Sequence, residues 1–85
     1  MKAKPAMKGY RNFPGNSCIS VNQVAAHGIP GEYRLIEGDI VTVDIIAELD
    51  GWHGDSAWTF AAGYVDPDGR RLIKAAWNTT IEAIK

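Results

Sequence analysis

The run "VDIIAELDGWHGDSAWTF" (residues 43–60) constrains this chain more than any other stretch, because it specifies a β-hairpin and its register together. Asp50-Gly51 is a dipeptide favoured in two-residue hairpin loops, where both central positions of a type I′ turn take positive φ. Before it, residues 40–49 read as a strand. Val41, Val43, Ile45, Ala47 and Leu49 form one face, and Ile40, Thr42, Asp44, Ile46 and Glu48 form the other. A second strand is expected over 55–62. With the turn at 50–51, Ile46 faces Asp55 and Asp44 faces Ala57. Asp44 and Asp55 then leave the same face as diagonal neighbours, with Cα atoms about 7–8 Å apart.

Two carboxylates held in this way repel unless a cation or a proton sits between them. Carboxylates are hard oxygen ligands, and a bridging carboxylate commonly holds two metal ions about 3.5–4 Å apart. Spacing alone leaves open that both acids simply face water. A one-residue slip of the register would also separate them onto opposite faces.

The rest of the chain gives the hairpin modest support. Eighty-five residues allow one domain. At that size about 60% of the unfolded surface is buried, so the core is small. A hydrophobic content of 46% argues against a disordered chain. The net charge of −1 gives no electrostatic reason to expect nucleic acid or an anionic membrane as partner. No apolar run approaches a bilayer span, and the start "MKAKPAMKGY" lacks the apolar centre of a signal peptide. Cys18, the single cysteine, excludes an internal disulfide and fits a reducing compartment. A cytoplasmic protein is therefore expected.

Upstream, turn residues (Pro5, Gly9, Pro14, Gly15, Asn16) alternate with strand-like pieces near 6–10 and 18–21. "HGIPGEYRLIEGD" reads as a loop. Downstream, Asp66-Pro67 predicts an N-cap and first helical residue, and Ile73, Trp77, Thr80, Ile81 and Ile84 recur at helical spacing over 67–85. No glycine or proline ends that helix before Lys85, as in an element cut from something longer. The expected class is α+β, an antiparallel sheet with a C-terminal helix. Trp52, Trp58 and Trp77 are expected to pack.

Asp44 and Asp55 in the frame "DIVTVDIIAELDGWHGD" resemble the first metal-ligand segment of the methionine aminopeptidases, metallopeptidases of pita-bread fold. "GYRNFPGNSCISVNQVAAHGIP" resembles the segment before it, and "KPAMKGY" the family's leading strand. The likeness runs from about Lys4 to Lys85. It implies a hydrolase that removes N-terminal methionine from peptides and nascent chains. In such a site two divalent ions (Mn, Co, Fe or Zn) would be held in part by Asp44 and Asp55, with Asp55 bridging. The resemblance makes His27 a catalytic residue that hydrogen-bonds substrate near the scissile amide. It assigns Tyr10, Phe13 and Cys18, with Met7 beside them, to the methionine side-chain pocket. Asn22 and Val24 match positions whose backbone carbonyls help bind a monovalent cation. His53 has no ligand role in that frame.

The family's enzymes are much longer and build one site from two pseudosymmetric halves. Their remaining ligands, a histidine and two glutamates, come from the second half. Residues 1–85 are equivalent to the first half only, as a single half-domain. Weak or partial metal binding is therefore expected of this chain alone, and a lone monomer is expected to be inactive. Three readings stay open. The chain is a fragment of such an enzyme, or a working half completed by homodimerisation or a separate second half, or a non-catalytic module for peptide or protein binding.

Overall fold

The computed structural model describes residues 2–85. It contains β1 (Lys4–Pro5), a 3-10 turn (Tyr10–Asn12), β2 (Cys18–Val21), β3 (Ile40–Leu49), β4 (Trp52–Ala61) and α1 (Pro67–Ala83). The four strands form one antiparallel sheet with β3 at its centre. β4 runs along one edge of β3, and β2 and β1 share the other edge.

The hairpin turn decides this arrangement. Asp50 and Gly51 take φ of 53° and 81°, the positive pair that a type I′ turn needs. The ladder they launch pairs Ile46 with Asp55 and Asp44 with Ala57, as the sequence predicts. β4 starts earlier than expected, at Trp52, because a two-residue turn lets pairing begin at once.

Side chains alternate along a strand, so the register sorts the sheet into two faces. One face carries Thr42, Asp44, Ile46 and Glu48 of β3 with Thr59, Ala57, Asp55 and His53 of β4, and Cys18 and Ser20 of β2. The Thr42 and Thr59 hydroxyls meet there at 2.9 Å, and Glu48 lies 3.8 Å from His53 Nε2. The opposite face is apolar, with Ile19, Val21, Val41, Val43, Trp58 and Phe60.

The strand expected near 6–10 is not one. Pairing stops after Ala6 N–H donates to Ile46 O, and Gly9, at φ 82°, turns the chain into the 3-10 segment. Gly9 N–H donates back to Phe13 O at 2.8 Å, which closes the loop 9–13 over one end of the sheet.

α1 begins where expected. The Asp66 carboxylate accepts from Gly69 N–H at 2.8 Å, and Pro67 occupies the first turn, where its missing N–H costs nothing. Its grip on the sheet is lighter than its apolar spacing suggests. None of its residues is buried, and Trp77 meets Trp58 with ring centroids 4.8 Å apart and tilted by 59°. Trp58 and Trp77 thus pack on each other, although each stays about half exposed. Trp52 does not: it is 82% exposed, because it sits beside the turn at the end of the sheet that α1 does not reach. The buried apolar side chains among the described residues are Cys18, Val41 and Val65.

Candidate metal centre and side-chain pocket

Asp44 lies midway along the central strand, between Cys18 on β2 and Ala57 on β4. That location half-buries it, and its Oδ1 is buried with no hydrogen-bond partner among the described residues. A buried carboxylate oxygen without a donor is costly, so the position requires another explanation than fold stability. Asp55 stands on the edge strand, diagonal to Asp44 on the same face and open to solvent. Burial pushes the Asp44 carboxyl above its ordinary 3.8; the adjacent Asp55 carboxylate, with which a shared proton beats two facing charges, raises it further. The His27 imidazole is near enough to oppose the rise.

His27 belongs to the long connection between β2 and β3 and has φ of 60°, a conformation that non-glycine residues rarely hold. The next residue explains how it is kept there. Gly28 O accepts from Ile19 N–H at 2.9 Å, and Gly28 N–H donates to Ser20 Oγ at 3.0 Å. The connection is thereby laid against β2 with His27 facing the side that carries Asp44.

Next to the acids lies a cavity of about 790 Å³, whose lining includes Met7, Tyr10, Phe13, Cys18 and His27. Five positions expected at a site, spread over residues 7–27, share one space. Cys18 is fully buried, and its Sγ lies 3.8 Å from Met7 Sδ. Burial pushes its thiol above the ordinary 9.0, and the Asp44 charge adds to this, so the group behaves as a small apolar wall. Ile46, Arg11 and His53 also border the cavity, and none was singled out for it. Ile46 was readable, since the hairpin register sets it opposite Asp55. Arg11 was not, because its place depends on φ of 48° in the 3-10 turn.

Asn22 and Val24 fall outside the cavity, in the turn that follows β2. The Asn22 side chain has a task of its own: Oδ1 accepts from Ile40 N–H at 3.0 Å, and Nδ2 donates to Asp39 Oδ1 at 2.9 Å. Asp39, buried, also accepts from the Tyr33 hydroxyl at 2.9 Å and Ile36 N–H at 3.0 Å. Those donors, the Asn22 amide first, hold its carboxyl below 3.8. Sequence reading missed Asp39; its only signal was an acid directly preceding the apolar strand.

Two hard oxygen donors, one of them buried and lacking a donor of its own, suit a divalent cation better than they suit each other. Among the described residues, no group of three or more His, Cys, Asp and Glu side chains stands close enough to hold an ion. The two acids alone fall short of a full coordination sphere.

The sequence profile described as Metallopeptidase family M24 matches residues 1–85. Methionine aminopeptidase 1 of Bacillus subtilis is 49% identical over 72 residues, which are 85% of this chain and 29% of that protein. A methionine aminopeptidase of Helicobacter pylori is 43% identical over 82 residues, 96% of this chain and 32% of its own length. The crystal structure of methionine aminopeptidase from Thermotoga maritima superposes with a TM-score of 0.93 at 39% identity, covering 98% of this chain and 34% of that one. The chain thus spans about a third of the length of the curated relatives it matches.

Proposed function

This chain belongs to metallopeptidase family M24, its fold matches part of a methionine aminopeptidase, and on that premise we propose that it carries the first half of a site for removing N-terminal methionine from peptides. The observation that carries the reading is the Asp44–Asp55 pair beside the Met7–Tyr10–Phe13–Cys18 cavity. An unsatisfied buried carboxylate next to an apolar recess suits a reaction that needs a cation at one point and an unbranched apolar side chain at the next.

In that reading Asp44 and Asp55 hold divalent ions, the donors from a second half completing the sphere. When bound, such ions lend Lewis acidity, which lowers the pKa of water and polarises a carbonyl. Met7, Phe13 and Cys18 exclude water from the methionine side chain, and Tyr10 closes the rim. His27 orients the scissile amide by a hydrogen bond. Asn22 and Val24 offer backbone carbonyls to a monovalent cation near the base of the same connection. A cytoplasmic setting follows from the same reading. No helix among the described residues is long and apolar enough to cross a membrane.

Two carboxylates do not satisfy two divalent ions, so the chain alone binds metal weakly and turns over little substrate. A second copy meeting it across a two-fold axis would bring two more carboxylates and another imidazole to one cavity. β4 offers an edge to such an arrangement, because it is a ten-residue strand paired only with β3 among the described residues.

Isothermal titration with Mn²⁺ or Co²⁺, paired with light scattering after gel filtration, tests the reading. Metal uptake by the wild type and its loss in Asp44→Asn and Asp55→Asn are expected. Uptake indifferent to both substitutions would remove the metal site and favour the non-catalytic peptide-binding reading. Hydrolysis of a Met-Ala peptide by the metal-loaded dimer, and by no monomer, separates the working half from an inert fragment.

A further inference from the structure

We propose that Ser20 is the positioning residue for His27: by holding the Gly28 N–H, its hydroxyl fixes the backbone that points the imidazole over the Cys18–Asp44 face. Ser20 is only 4% exposed, deep in the sheet two residues along from Cys18, and a hydroxyl there needs a polar reason. It faces Thr42 across the ladder, yet its Oγ accepts from the loop, from Gly28 N–H at 3.0 Å. Ile19, its neighbour, donates its own N–H to Gly28 O at 2.9 Å. Residue 28 is therefore gripped at both its N–H and its C=O by consecutive residues of one strand.

The approach is so close that only glycine fits. A Cβ at position 28 would overlap the Ile19 carbonyl oxygen and come within 3.0 Å of Ser20 Cα. The residue just before this grip is His27 at φ 60°. A non-glycine residue keeps that conformation only when its surroundings over-determine it. Here the Ile19 bond anchors only the peptide that follows Gly28, not the one that joins it to His27. The Ser20 bond adds the second point, and two points set a direction. Ser20 is not part of the cavity lining, and its hydroxyl is engaged by the Gly28 N–H, so its route to the site runs through the connection that carries His27.

The purpose given to this grip rests on the reading of His27 as a substrate contact, but the geometry does not. Amide hydrogen exchange and carbon chemical shifts on the isotopically labelled 85-residue chain test it. In Ser20→Ala, exchange at the Gly28 amide is expected to quicken by about tenfold while amides inside β3 and β4 keep their rates. The left-handed signature in the His27 shifts is lost with it. Ser20→Thr, which keeps the hydroxyl, restores both. Unchanged Gly28 protection and His27 shifts in Ser20→Ala would overturn the proposal. So would equal acceleration across the whole sheet without rescue by threonine, since Ser20 would then support the sheet at large. Should Ser20→Ala fail to fold, Gly28→Ala carries the test: it leaves Ser20 in place but prevents docking, and retention of the His27 signature there refutes the proposal. These readouts need no metal, so the grip and the metal site fail or stand separately.

Discussion

Asp44 and Asp55 stand on neighbouring strands of one hairpin, diagonal to each other on a single face, because Asp44 pairs with Ala57 and Asp55 with Ile46. Only an even offset between strands achieves this. An odd one would send one carboxylate into the apolar face against Trp58 and Val43. The functional reading of this chain depends on that parity.

The parity makes the turn itself testable. Gly51 holds φ of 81°, and Gly51→Val forces a β-branched residue there at roughly 1–2 kcal/mol. A lower melting temperature is expected, with metal uptake kept if the pairing survives. Insertion of one residue between Asp50 and Gly51 shifts the β4 faces instead. Titration with Mn²⁺ should then show uptake lost while circular dichroism still reports a sheet.

Asp39 and Asp44 give opposite pH dependences in metal-free protein. Asp39 has its carboxyl held below 3.8, so the stability it adds is present above that pH and is lost as pH falls toward the folded value. Asp44 has its carboxyl raised, so the folded chain prefers it protonated, and stability declines as pH climbs from 3.8 through the raised value. Urea denaturation from pH 3 to 7 should accordingly show Asp39→Asn weakening the chain most at the neutral end. Asp44→Asn should strengthen it there. A saturating divalent cation should reverse the Asp44 effect by favouring the ionised pair.

Cys18 should be inert. Fully buried, with its thiol pushed up, it is expected to react with a disulfide reagent at least about a hundredfold slower in the native chain than in guanidinium. Cys18→Ser puts a stronger polar group in the cavity wall and should lower stability, whereas Cys18→Ala should be better tolerated. Thermal melts decide between them.

The α1 cap is a local device. Asp66→Ala removes the acceptor for Gly69 N–H and should cost about 0.5–2 kcal/mol. In a chain of this size each kcal/mol lowers the melting temperature by about 4–8 °C. Because Trp77 of α1 packs on Trp58, which points away from the acids, metal uptake on their face should be unaffected.

Some of this was written locally. Asp50-Gly51 demands positive φ twice, the alternation of 40–49 demands a two-faced strand, and together they set the register of both acids before any tertiary contact forms. Asp66-Pro67 fixed the helix start for the same reason: a cap and its partner lie within one turn of chain. Positions distant in sequence depended on closure. Tyr10 and Phe13 reached the cavity through a 3-10 turn that follows directly on the piece 6–10 expected as a strand, and His27 reached it because Gly28 docks on Ile19 and Ser20. Asp39 gathered donors from Asn22, Tyr33 and Ile36, which only the folded connection assembles. Short-range stereochemistry is carried by neighbouring residues and survives in the sequence. Which loop lies on which strand depends on hydrogen bonds and van der Waals limits between distant segments, and these exist only once the sheet has formed.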